Sequence, residues 1–161
     1  MGLLFLYSAS QGNIETTVKQ SLFVVLGLIL MFLLSQIDPD FYKNNSLLFL
    51  IFSIVLILTT MIFGKEVNGA KRWLDLGFFT LQSSEIVKIA LPVFLAAYLY
   101  DKPLPISLFN TLISMMVIVI IVNLVRIQPD LGTSLVIFIA GLYVLFPVSY
   151  THLTLPTNCV V

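Results

Sequence analysis

Charge-free apolar runs alternate with short polar breaks along most of this chain. Stretches without Asp, Glu, Lys or Arg occupy residues 20–37, 46–64, 103–125 and 131–147, and residues 81–100 are apolar except for Glu85 and Lys88. A membrane-crossing helix needs about 20 mainly apolar residues. Residues 20–37, 46–64, 81–100 and 103–125 are therefore predicted as four full spans, with 131–147 a slightly short fifth and 1–7 the stub of one more. The break at residues 38–45 reads as a tight loop, because it holds Pro39 and the paired Asn44 and Asn45. Short breaks make successive spans antiparallel neighbours. The architecture expected is an all-α, polytopic transmembrane helix bundle, since helices satisfy every backbone hydrogen bond within the segment and runs this long do not suit a β-barrel.

Composition agrees. Of 161 residues, 59% are hydrophobic and 10% charged, against about a quarter charged in ordinary soluble domains, and the mean hydropathy is +1.07. Eight basic residues balance eight acidic ones, and no basic run could track a nucleic-acid backbone, so nucleic acid is excluded as a partner. The lone Cys159 has no second thiol with which to pair or complete a metal site. The first residues lack the positively charged region of a signal peptide and read as the tail of a membrane helix. With no internal repeat or low-complexity linker, one domain, incomplete, is expected.

Chemistry concentrates between residues 68 and 92, where the hydrophobic pattern breaks. Lys71 and Arg72 are adjacent cations beside Trp73, a residue type that anchors at headgroup level. Two readings stand: an interfacial belt, or a docking site for a phosphate-bearing lipid headgroup. Glu85 and Lys88, three apart, share one helix face inside a span. Such charges mark a functional path lined by water or protein, or else neutralise each other as a structural pair. Asp130 precedes the last apolar run, where a carboxylate caps free backbone N–H groups, and Arg126 offers it a partner. Asn110, Thr111, Ser114 and Asn123 read as interhelical hydrogen-bonding contacts. His152 has no companion ligand at metal spacing.

Gly69-Ala70-Lys71-Arg72-Trp73-Leu74-Asp75-Leu76-Gly77, then Gln82-Ser83-Ser84-Glu85 with Lys88, then Gln128 through Ser134 resemble the motif blocks of the SEDS family, comprising RodA, FtsW and SpoVE. The opening at residues 6–10 resembles the outer end of that family's first helix. The blocks keep the family's order over residues 1–146, and within it they resemble RodA more than FtsW. The resemblance implies a peptidoglycan glycosyltransferase of cell elongation and shape, which joins lipid II units at the outer face of the bacterial cytoplasmic membrane and releases polyprenyl pyrophosphate. It implies a divalent cation, Mg or Mn, and a class B penicillin-binding protein as partner. It makes Lys71, Arg72, Trp73, Glu85, Lys88 and Asp130 substrate-binding residues, with Glu85 and Lys88 lining a central cavity and Arg72 and Trp73 at its rim.

Charge sidedness pulls against that orientation. Lys43 and Lys102 fall on one side, and Lys19, Lys65, Lys71, Arg72 and Arg126 on the other, so the positive-inside rule alone would turn the richer side to the cytoplasm. The resemblance turns it outward, as cations kept for an anionic substrate would require. The chain also departs from the family. Ser83 stands where the family has proline, loosening the start of the following helix. The family's roughly ten-helix fold places its catalytic aspartate in a later outer loop, so no catalytic residue is expected here and the chain alone is expected to be inactive. After Phe146 the chain turns polar with two prolines, Pro147 and Pro156, and residues 147–161 are expected to be an artefactual tail outside the family pattern. The rival readings are a lipid-precursor flippase or other transporter and a non-catalytic membrane scaffold.

Overall fold

The computed structural model describes residues 14–67, 69–75, 77, 80–103 and 106–154, and five helices account for most of them: α1 (Ile14–Ser35), α2 (Pro39–Phe63), α3 (Ser83–Tyr100), α4 (Leu108–Ile127) and α5 (Leu131–Thr154). Between α2 and α3 lies a three-stranded antiparallel sheet in the order β1 (Lys65–Val67), β2 (Ala70–Asp75), β3 (Thr80–Gln82). The expected stub at residues 1–7 and the family-like block at 6–10 lie outside the described residues. The chain is a multi-pass membrane protein: α1 from Thr17, α2, α3 and α4 are long and apolar enough to cross a bilayer, and α5 has a shorter apolar stretch, Leu131–Phe146.

Several boundaries move for identifiable reasons. The loop expected at residues 38–45 is helical from Pro39 onward. Proline fits the first helical position because its missing N–H would have no partner there, and Asp38 caps the helix by accepting the Asp40 N–H at 3.1 Å. The fourth span starts at Leu108 rather than residue 103, behind Ser107, whose hydroxyl accepts the Asn110 N–H at 3.3 Å. The last helix continues beyond residue 147 to Thr154.

The sheet is the element that span counting did not anticipate. Gly69 (φ +77°) and Gly77 (φ +83°) take the left-handed conformation its two connections need. Asp75 Oδ1 accepts the Gly77 N–H at 3.0 Å, which tightens the second connection. Trp73 sits mid-strand, opposite Lys65 on one side and Gln82 on the other.

The chain divides into two units, Met1–Phe41 and Tyr42–Val161. In the first, α1 carries an uncharged, mainly apolar run from Gln20 to Ser35, and none of its spanning residues is buried. Near its start Lys19 Nζ meets Glu15 Oε1 at 2.6 Å. That hydrogen bond and charge hold the exposed Glu15 carboxyl below the usual carboxylate range.

In the second unit the core is a seam of side chains at three- and four-residue spacing. Val87, Leu91, Leu95 and Leu99 of α3 meet Ile118, Ile121 and Val125 of α4, Ile137 and Leu145 of α5, and Leu50 and Ile57 of α2. The buried positions of α2 are Ser46, Leu50, Ser53, Ile57 and Thr60, alternately small and large. Small residues let helix backbones approach where lipid supplies no hydrophobic drive. Ser53 and Thr60 give their hydroxyl protons to Leu50 O and Leu56 O, each at 2.7 Å, so neither is left unpaired. A Cβ added at Gly141 of α5 would lie 2.8 Å from Ile118 Cγ1, which marks the close approach of α4 and α5.

Of the four polar residues expected to bond across helices, one does: Asn110 Oδ1 accepts the Tyr98 hydroxyl at 3.1 Å. Thr111, Ser114 and Asn123 bond carbonyls four residues back in their own chain, Ser107 O, Asn110 O and Val119 O. A short polar side chain in a helix reaches that carbonyl without any partner helix.

Candidate functional site

One end of the second unit gathers the end of α2, the sheet, the start of α3 and the α4–α5 turn. All six residues singled out from the sequence lie there. The opposite end holds Lys43, paired with Asp101 at 2.8 Å and 4.0 Å above the Tyr100 ring, and Lys102, 4.9 Å above the Tyr98 ring. Within this unit the two charge groups therefore separate as the sequence pattern predicts.

Glu85 and Lys88 occupy the first two turns of α3. Lys88 Nζ lies 2.7 Å from Glu85 Oε1, and the side chains remain 29% (Lys88) and 53% (Glu85) exposed. Because α3 starts at Ser83, the pair sits near the end of the span rather than at mid-membrane. Pro92 sits within α3 and has no N–H to offer the carbonyl of Lys88 four residues earlier. The pair thus adjoins a backbone acceptor without its usual helical donor.

Asp130 caps α5: its Oδ1 accepts the Thr133 N–H at 3.1 Å. Its other oxygen accepts Gln82 Nε2 at 3.0 Å. The partner expected from the sequence, Arg126, is exposed, and among the described residues it forms no ion pair with Asp130. Arg126 closes α4 one turn earlier, whereas Gln82 arrives from β3 already aimed at the turn.

Along β2, buried Ala70 is followed by exposed Lys71 and by half-buried Arg72 and Trp73. Arg72 Nε donates to Gln128 O at 3.0 Å and Nη2 donates to Pro129 O. Lys71 has no ion pair among the described residues and faces Glu66 across the strand pair. No described hydrogen bond or ion pair joins Glu85 or Lys88 to Lys71, Arg72 or Asp130.

Two residues to which the sequence reading gave no role prove central. Gln82 holds Asp130, and Gln128, 4% exposed, donates Nε2 to Ile57 O at 3.3 Å. Their signal was an uncharged amide beside the edge of an apolar run. The Ser83 hydroxyl is fully buried and is the one unpartnered buried side-chain polar group among the described residues. No three His, Cys, Asp or Glu side chains come together among the described residues. Asp130 and Glu85 are already engaged within the chain, so these residues do not fit a resident divalent cation.

The comparisons agree with one another. The chain matches the FtsW/RodA/SpoVE family, described as cell cycle proteins, over residues 1–158. It is 38% identical over 143 residues to the peptidoglycan glycosyltransferase MrdB of Escherichia coli K12, covering 89% of this chain and 39% of that protein. To the peptidoglycan glycosyltransferase RodA of Treponema pallidum it is 36% identical over 140 residues, covering 83% and 32%. It thus spans about two fifths or less of these curated relatives. Among solved structures it is similar to a chain of a peptidoglycan synthase complex that coordinates polymerization and crosslinking, with a TM-score of 0.78 and 27% identity over 94% of this chain and 49% of that one. It is likewise similar to the rod shape determining protein RodA of Thermus thermophilus, with a TM-score of 0.72 and 26% identity over 93% and 58%. The chain belongs to the FtsW/RodA/SpoVE family of cell cycle proteins.

Proposed function

We propose that this chain forms the front part of a peptidoglycan glycosyltransferase that polymerises lipid II in the bacterial cytoplasmic membrane during cell elongation, working beside a class B penicillin-binding protein. The observation that carries the reading is the Glu85–Lys88 pair, 2.7 Å apart and half open at the membrane-end face of α3, in a chain whose relatives are named peptidoglycan glycosyltransferases. Charges at a span are costly to keep unless they line a polar path. Lys88 would attract the pyrophosphate of a lipid-linked sugar, and Glu85 would hold Lys88 in place and accept from the sugar's hydroxyl or amide groups. Exposed Lys71 would meet the same phosphates at the rim, with Trp73 at headgroup depth. Arg72 and Asp130, engaged within the chain, would shape that rim. The sheet end would face outward, opposite to what the count of Lys and Arg favours. The synthase complex among the structural neighbours supports a crosslinking partner. No step is assigned to a divalent cation.

The test is a chimera in which residues 1–146 replace the matching part of E. coli MrdB, reconstituted with its crosslinking partner in liposomes carrying lipid II. Glycan strands are the expected product. Movement of lipid II between leaflets with no strands formed would favour a flippase.

A further inference from the structure

The three residues between α4 and α5 do more than reverse the chain. Gln128 and Pro129 give their carbonyls to Arg72 of β2, and Asp130 gives a carboxylate oxygen to Gln82 of β3 at 3.0 Å. The Gln128 side chain reaches Ile57 O of α2 at 3.3 Å, and the second Asp130 oxygen caps α5 at 3.1 Å. One short turn therefore ties two strands and two helices together through five hydrogen bonds.

The chemistry of these contacts sets Arg72 apart from its neighbour. A guanidinium offers five N–H donors in a rigid fork. Arg72 spends the fork on two successive main-chain carbonyls rather than on a carboxylate, and it is half buried while doing so. Lys71 beside it is exposed. Gln82, in turn, is both the cross-strand neighbour of Trp73 and the residue that holds Asp130. Trp73 is thus next to one attachment in sequence and opposite the other in register.

We propose that Arg72 and Gln82 are positioning residues, which lock the β2–β3 hairpin to the Gln128–Pro129–Asp130 turn and so fix the place of Trp73. The lock depends on hydrogen-bond geometry and not on charge. It is a property of the fold that holds whatever the chain acts on.

Trp73 is the sole tryptophan, so its emission reads the lock directly. The chain is reconstituted in lipid nanodiscs, and emission maximum and acrylamide quenching are recorded with far-ultraviolet circular dichroism as the folding control. Arg72→Ala and Gln82→Leu should each shift the emission to the red and raise quenching at unchanged helicity. Arg72→Lys, which reaches one carbonyl but not both, should fall between. Asp130→Asn can keep its carbonyl oxygen on the Thr133 N–H while its Nδ2–H donates to Oε1 of a flipped Gln82 amide, and should retain the parental spectrum, whereas Asp130→Leu should not. Should Arg72→Ala lose helicity, Gln82→Leu decides on the same readout. Parental emission and quenching in folded Arg72→Ala and Gln82→Leu would overturn the proposal, as would a red shift in Asp130→Asn equal to that in Asp130→Leu.

Discussion

Gln82 Nε2 donates to Asp130 Oδ2 at 3.0 Å across 48 positions of sequence, so the residue that ends β3 is fastened to the residue that caps α5. Two roles converge on one carboxylate, one local and one long-range. Asp130→Ala removes both. Loss of a cap alone costs about 0.5–2 kcal/mol, and the freed Gln82 amide adds to it. Thermal unfolding in nanodiscs should show Asp130→Ala clearly less stable than the parent, and Asp130→Asn close to it.

Ser83 makes the opposite prediction. A buried hydroxyl without a partner costs about 1–3 kcal/mol relative to its hydration in water, and Ser83 Oγ is such a group. Ser83→Ala should leave stability unchanged or raise it. The same melting experiment checks this, and a marked drop would reveal a partner for the hydroxyl.

Close packing between α4 and α5 is tested at Gly141. A methyl there would lie 2.8 Å from Ile118 Cγ1, and overpacking of a dense interior costs about 1–3 kcal/mol. Gly141→Ala should lower the melting temperature. Adding Ile118→Val, which removes a methylene from the contacted side chain, should recover part of the loss.

The Glu85–Lys88 pair should behave asymmetrically. Its partners are half exposed, so pairing by itself contributes little stability, on the order of 1 kcal/mol or less. In the MrdB chimera, both Glu85→Ala and Lys88→Ala should depress polymerisation while the melting temperature barely moves. A structural pair would show the reverse.

How far the sequence disclosed all this depends on the range of each interaction. The spans were legible because lipid demands long runs with few charges. Their edges were less so: Pro39 looked like a loop residue until Asp38 proved to cap it, and Ser107 marks a start that an apolar count misses. The Asn68-Gly69 dipeptide is a hairpin signal, but a count of uncharged apolar runs does not register it. Within the site, the Glu85–Lys88 spacing and the capping position of Asp130 are local and could be read directly. That Asp130 bonds Gln82 rather than Arg126, and that Arg72 grips the carbonyls of residues 128 and 129, depends on partners some 50 positions away. No local pattern encodes such pairings.

The most direct test of the central claim is the rate of glycan-strand formation from lipid II by the MrdB chimera, comparing the parent with Lys71→Ala and Lys88→Ala across substrate concentrations. If these cations hold the anionic headgroup, both variants should need more lipid II to reach half-maximal rate, and Lys88→Ala should also lower the maximal rate. Unchanged rates and unchanged substrate dependence in both folded variants would contradict the assignment of this face to the lipid-linked substrate.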